Sequence, residues 1–337
     1  MWDFEAGRAL KLMFKTLPFV LFRLAVYFGV ALGYILITGT GAGIGWGVGG
    51  FGDEDFRAAS TFWGGAIGFG AVAALMYFLR EYLLYVVKAG HIAVLVELLD
   101  NQPIPDGKGQ IEHARTAVQT RFAQASVLFG VDQLIKGVLK AIVGLARGAF
   151  TLLPVPGAKS MLRVLEGFLR IAVGFIDEVI LAYCIRTRST NAWASSREAL
   201  VLYGQNYKVM LKNAAWLTLI VYGLSFLVFL IMLAPAGLFA YLVPGGWSAT
   251  GMLIAVLFAW STKVALIEPF AVTCMMQAYF KTIEGQVPDP EWETRLDGMS
   301  AKFRKLKDKA GEMTRTSADT ANTATAPEAA SPPPSSP

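Results

Sequence analysis

Charge is what this chain has least of. Only 16% of its 337 residues are Asp, Glu, Lys or Arg, and 55% are hydrophobic. A soluble domain usually carries about 25% charged residues, so an ordinary water-soluble fold is excluded. Cysteine is almost missing too. Cys184 and Cys274 stand far apart in apolar segments, which excludes a disulfide framework and a paired-cysteine redox or zinc motif. Histidine is equally rare. His91 and His113 lie in different segments, and no H-E-x-x-H, G-x-S-x-G or Walker lysine is present. The expectation is no enzyme, no catalytic residue, no cofactor and no metal site, with His91 a helix-surface residue near a membrane interface. The net charge of +5 fits Lys- and Arg-rich loops beside a membrane better than nucleic-acid binding.

What the chain has instead is long uncharged runs. Leu24 to Gly52 carries no charge over 29 residues, Ala58 to Leu79 none over 22, and Asn213 to Thr262 none over 50. Runs of this length read as membrane spans. Leu17 to about Thr38 is the first, with Arg23 near enough to its end to snorkel, and Ala58 to Leu79 is the second. Pro235 and "PGG" at 244–246 divide the long run into a third span near Ala214–Ala234 and a fourth from Trp247 onwards, interrupted by Lys263 and by Glu268-Pro269. Asp3 and Glu5 spoil a signal-peptide n-region, so the start reads as an amphipathic segment followed by an uncleaved anchor.

The expected fold is all-α and polytopic, with four transmembrane helices, an amphipathic antiparallel helical hairpin and a disordered C-terminal tail. The hairpin adds two spans, giving six, or none. The expected divisions are an amphipathic segment (1–16), a transmembrane pair with an outer Gly-rich loop (17–100), the hairpin (111–188), a second pair after an interfacial helix (192–285), a charged segment (286–310) and the tail (311–337). "SSREALVLYGQNYKVMLKN" reads as a surface helix opened by a capping box of Ser195 and Glu198. Arg8, Lys11, Lys15, Lys208, Lys212, Lys302, Arg304, Lys305 and Lys307 place both termini in the cytoplasm of an inner membrane. Asp53, Glu54 and Asp55 against Arg57 suit an outer loop.

The stretch "TGTGAGIGWGVGGFG" at 38–52 satisfies G-x-G-x-x-G at Gly45, Gly47 and Gly50. A nucleotide loop needs a strand before the glycines and a helix after them, and here a membrane span precedes. As a helix the run makes two ladders four residues apart, Gly39/Gly43/Gly47 and Gly41/Gly45/Gly49, which suit close backbone packing. Alternatively, so much glycine melts the helix end into a loop. Trp46, Phe51, Phe62 and Trp63 cluster there, as an interfacial aromatic belt or as a cation–π surface for a substrate.

In the hairpin, Gly137 and Gly144 on one arm and Gly167 and Gly174 on the other repeat every seven residues. About a turn at 155–156 they meet level by level, which predicts a closely packed seam. Asp132, Lys136, Lys140 and Arg147 form a mainly basic stripe on the first arm, and Lys159, Arg163, Glu166 and Arg170 one on the second. Charge at the bilayer centre is costly. The arms therefore lie in the interface, with Lys136, Lys140, Arg147, Arg163 and Arg170 on acidic headgroups, or face a watery centre.

Ionisable residues inside apolar segments are functional candidates. Glu268, before a helix-breaking proline, is a candidate cation-binding carboxylate together with the outer Trp46, Trp63 and Phe51. Lys263, Asp177 and Glu178 are candidates for a charged gate or an ion pair.

Two stretches resemble the choline transporter-like family. "FLRIAVGFIDEVILAYCIRTRSTNAWASSREALVLYGQNYKVMLKNAAWL", with Lys212-Asn213-Ala214 where a span begins, and "LIEPFAVTCMMQAYFKTIEGQVPD" are similar to that family in the order of their motifs, over about half the chain. Glu268 stands at the place of the family's glutamate, and Thr273 where the family has an aspartate. The resemblance implies a transporter or channel-like permease for a small organic cation such as choline. The other reading is an oligomeric membrane-organising or pore-forming assembly without solute-specific transport. The expected partners are anionic lipids, other copies of the chain and a small organic cation.

Overall fold

In the computed structural model, residues 2–79, 85–104, 109–121, 125–151, 175–242 and 248–324 are described, and no strand occurs among them. Among the described residues four helices are long and apolar enough to cross a membrane: Leu17–Gly49, Glu54–Tyr77, Tyr207–Ala234 and Ala255–Thr282. In the first three the protein buries only 22%, 17% and 17% of the most apolar window, so most of that surface needs lipid as its solvent. In the fourth it buries 56%, because only part of that helix lies among the other apolar helices. The chain is an all-helical, multi-pass membrane protein.

Helix α1 (Ala6–Lys15) breaks at Thr16, and α2 (Leu17–Gly49) restarts with Pro18 in its first turn, where the missing N–H costs nothing. Its 33 residues span about 50 Å, against a hydrocarbon core of about 30 Å. The glycine run is helical as far as Gly49. A turn at 50–53 leads into α3 (Glu54–Leu79), which packs back along α2. The outer Gly-rich loop expected from the sequence is therefore a helix end, stabilised because one ladder has a partner. A Cβ on Gly41 or Gly45 would run into the backbone carbonyl of Gly64 or Ser60, and one on Gly49 into the Cα of Arg57. The second ladder, Gly39, Gly43 and Gly47, meets nothing within 4 Å.

On the side where α1 lies, the remaining helices bury a conventional core. It gathers α4 (Tyr85–Leu99), α5 (Gly109–Arg121), α6 (Ala125–Thr151), α7 (175–186), α8 (Ala192–Gln205), the end of the fourth span, α12 (Pro290–Met299) and α13 (Ala301–Ala324). Helix α6 contributes Val131, Ile135, Val138 and Ile142, spaced at helical period, and α13 contributes Phe303, Leu306 and Ala310 in the same way. Helix α9 (Tyr207–Leu242) then leaves this core for the apolar region and packs on α10 (Ser248–Thr262). The fourth span is α10, a π-helical turn Lys263–Ile267 and α11 (Glu268–Thr282).

Several sequence-based expectations are corrected. The segment read as one surface helix is split between two: its first part belongs to α8, whose residues 199–204 are all buried because α6, α12, α13 and α9 cover it, and its second part, from Tyr207, begins α9, where Lys208 and Lys212 are exposed. The cap of α8 is Asn191, whose side chain accepts the N–H of Ala194, and Ser195 and Ser196 lie inside the helix. Residues 311–324, expected in the tail, continue the α13 helix; 325–337 lie outside the described residues. The hairpin's first arm is two helices, α5 and α6. Its turn and most of its second arm, with Lys159, Arg163, Glu166, Gly167, Arg170 and Gly174, lie outside the described residues.

Candidate functional site

The fourth span changes character at one point, and the reason is local. The Glu268 N–H bonds the Lys263 carbonyl five residues back, the register of a π-helix. In that register the next donor, to Val264, is residue 269. It is a proline and has no N–H. The Val264 carbonyl is left for an outside donor, and Arg23 of α2 takes it at 2.9 Å. Arg23 is 1% exposed, so the guanidinium reaches inward and does not snorkel out. Ser261 adds a second tie, donating to the Tyr27 carbonyl at 3.1 Å.

The break places Glu268 in a row of charges that runs on through three other helices. Glu268 lies 3.4 Å from Lys263 and 3.6 Å from Lys88 of α4. Lys88 also binds Glu178 of α7 at 2.8 Å. One residue earlier, Asp177 lies 3.5 Å from Lys136 of α6, which binds Asp132 one turn back at 2.6 Å. Asp177 also accepts the Glu178 N–H at 2.9 Å. The result is a continuous row, Lys263–Glu268–Lys88–Glu178, flanked by Asp177–Lys136–Asp132. The side chains of Asp132, Glu178 and Asp177 keep 3%, 6% and 8% exposure, so these carboxylates depend on protein partners for solvation.

The environment sets the protonation states. Burial pushes the Asp177 carboxyl well above the usual aspartate range, and Asp132 and Glu178 push the same way. Burial raises Asp132 as well, against the pull of Lys136. The two acids therefore favour holding a proton between them. Lys88 is the opposite case: burial disfavours its charge, but Glu178 and Glu268 outweigh that and hold it charged, above the ordinary lysine value.

His91 is corrected from a surface residue to a buried one. It is fully buried, stacks on Phe19 at 5.3 Å between ring centres, and shares a 2.9 Å hydrogen bond with Thr16 Oγ1. Burial, and then the nearby Arg23, hold it neutral, well below the ordinary histidine value. It fastens the base of α2 to α4. His113 pairs with Glu97 at 2.6 Å.

The remaining sequence candidates fall elsewhere. Trp46, Phe51 and Trp63 sit at the far end of the α2–α3 pair. Trp46 lies 23 residues beyond Arg23 on one helix, about 35 Å away, so the aromatics and Glu268 do not share a site. Arg57 covers the Trp46 ring at 5.5 Å, which fills one face of the proposed cation surface. Lys136 serves two carboxylates where a headgroup contact was expected. Lys140 is exposed, and the side chain of Arg147 lies outside the described residues. The open face of Gly137 is taken by the stem of Lys302 and that of Gly130 by the Trp193 ring, while Gly144 meets nothing within 4 Å.

Sequence reasoning overlooked Lys88 and Asp132 as partners. The signal for Lys88 was present, a single cation within the apolar run "YLLYVVKAGHIAVLVELL". Among the described residues no group of three or more His, Cys, Asp or Glu is placed to hold a metal ion. A cleft of about 750 Å³ lies away from the network, between the N-terminal segment and the ends of α4, α7 and α11, lined by Arg8, Asp100, Arg186 and Lys281 among others. No family model, curated protein or solved structure matches the chain.

Proposed function

We propose that the protein is a membrane transporter or channel-like permease for a small organic cation, with the charged row at the π-turn of the fourth span as its moving element. The observation that carries this reading is the position of Glu268. It sits where a membrane helix is broken, and its counter-ions, Lys263 and Lys88, come from the same span and from the helical core. A substrate cation reaching this level would compete with a lysine for the carboxylate. Releasing Lys88 would in turn loosen α4 from the fourth span, which links binding to movement of the core. The motif resemblance to choline transporter-like proteins supports choline as the first substrate to try.

The test is uptake of radiolabelled choline into proteoliposomes. Uptake above empty liposomes, lost in Glu268→Gln while the variant remains monodisperse, supports the reading. Uptake equal to empty liposomes rejects the transporter, and unchanged uptake in Glu268→Gln rejects the role of Glu268.

A second reading, a membrane assembly of several copies, is favoured by the Gly39/Gly43/Gly47 ladder, which leaves the α2 backbone open to close approach. Counting bleaching steps of single labelled particles in lipid nanodiscs tests it. One step per particle rejects it.

A further inference from the structure

Helix α1 has three faces, not two. Ala9, Leu12 and Met13 are buried against the protein. Leu10 and Phe14, four residues apart, are 51% and 68% exposed. Arg8, Lys11 and Lys15 fall on a third, exposed face at 100° per residue. Among the described residues Lys11 and Lys15 make no ion pair. A helix in water has no reason to present a leucine and a phenylalanine beside its lysines. A helix lying in the membrane interface has that reason: the apolar face enters the acyl boundary and the cations meet the headgroups.

We propose that α1 is an in-plane anchor that docks on acidic lipid headgroups of the leaflet next to it. Two further observations fix lipid as the occupant. The exposed apolar face continues without a gap onto the start of a membrane span, through Leu17, Leu21 and Phe22 of α2. Trp2 packs edge-on against Trp216 of α9 at 5.7 Å, so the N-terminal segment is held at the level where α9 also turns its apolar surface outward. The segment is pinned in that pose, because the Asp3 N–H donates to the Asn213 side chain at 2.7 Å and Lys212 pairs with Asp3 at 3.2 Å. Lys11 and Lys15 supply the charge that favours an acidic over a zwitterionic lipid, each acting within a Debye length of the surface. The inference does not depend on what the protein carries.

Both native cysteines are buried, so a cysteine introduced on α1 takes a nitroxide label selectively. With full-length protein in vesicles of phosphatidylcholine and phosphatidylglycerol, labels at Leu10→Cys and Phe14→Cys are expected to be relaxed more by oxygen than by a water-soluble nickel chelate. Labels at Lys11→Cys and Lys15→Cys should show the reverse. Labels at 10 and 14 that the chelate reaches as readily as those at 11 and 15 would place α1 in water and overturn the proposal. Labels at 10 and 14 shielded from both reagents would place protein there and overturn it as well. The charge is read separately, with spin-labelled phosphatidylglycerol against spin-labelled phosphatidylcholine. Lys11→Gln with Lys15→Gln should lower the preference for the acidic lipid by up to roughly fivefold for each lysine removed, and Lys11→Arg with Lys15→Arg should keep it. An unchanged preference in the glutamine pair removes the headgroup assignment.

Discussion

The two ends of helix α2 hold their neighbours by opposite means. At the far end, Gly41, Gly45 and Gly49 bring the α3 backbone so close that no side chain fits between. Contact there is dispersion at short range, in a region with no buried carboxylate. At the near end, Arg23 reaches a carbonyl left open by the π-turn and Pro269, and α4, α6, α7 and the fourth span meet through a row of lysines and carboxylates. The glycine end should be sensitive to volume and indifferent to pH. The charged end should be sensitive to charge and pH, and more tolerant of shape. A membrane protein that must move in one place and stay closed in another can divide the two tasks in this way.

The largest effect is expected from removing the cation that serves two acids. Lys88→Met leaves Glu178 and Glu268 without it, and breaking a buried pair costs about 3–5 kcal/mol. The midpoint of denaturant-induced unfolding in mixed micelles measures this, and adding Glu178→Gln should return part of the loss. A Lys88→Met protein as stable as wild type would mean that the row is not solvated by its own partners.

Next in size is a single methyl at the opposite end. Gly45→Ala drives a Cβ into the Ser60 carbonyl, and overpacking of this kind costs about 3 kcal/mol because two backbones must part. The contrast within the same helix is sharper still. Gly43→Ala meets open space and should be neutral or stabilising by up to about 1 kcal/mol, since alanine is the better helix former. Equal effects at 43 and 45 would remove the distinction between the two ladders.

A smaller effect separates the ends by pH. The folded state holds Asp177 protonated above the usual aspartate range, through burial first and then Asp132 and Glu178. The folded state therefore binds more protons than the unfolded one, and the stabilisation present at low pH is lost as pH rises through the raised value. Asp177→Asn, which keeps a donor towards Asp132 without a titratable proton, should flatten that loss. Unfolding midpoints measured from about pH 4 upward should converge for the two proteins at the acid end and diverge on the alkaline side. Gly45→Ala should shift the midpoint equally at every pH.

The sequence shows much of the fold directly. A gap of 29 residues without a charge admits only lipid as solvent, and the four apolar helices follow from such gaps. The glycine ladders were readable as packing surfaces from their period of four. Which ladder would be filled was not, because that depends on the level at which α3 turns back. Burial of α8 was hidden for a related reason. "AWASSREALVLYG" has small residues on all sides, and small residues suit a crowded core and a surface equally. Glu268 and Lys263 could be found from their apolar surroundings. Their partner Lys88 could not, since it comes from a helix 180 residues before Glu268, and only the tertiary fold brings the two together. The stripe on α6 misled in one respect: charges on one face look alike whether they meet headgroups or one another.

The most direct measurement is an electron cryomicroscopy structure of the full chain in lipid nanodiscs, at a resolution that shows side chains around residues 260–270. The expected density shows the π-turn at Lys263–Ile267, Arg23 on the Val264 carbonyl, and Lys88 between Glu178 and Glu268. A fourth span running as a regular α-helix through Pro269, with Glu268 turned to lipid and Lys88 paired elsewhere, would contradict it.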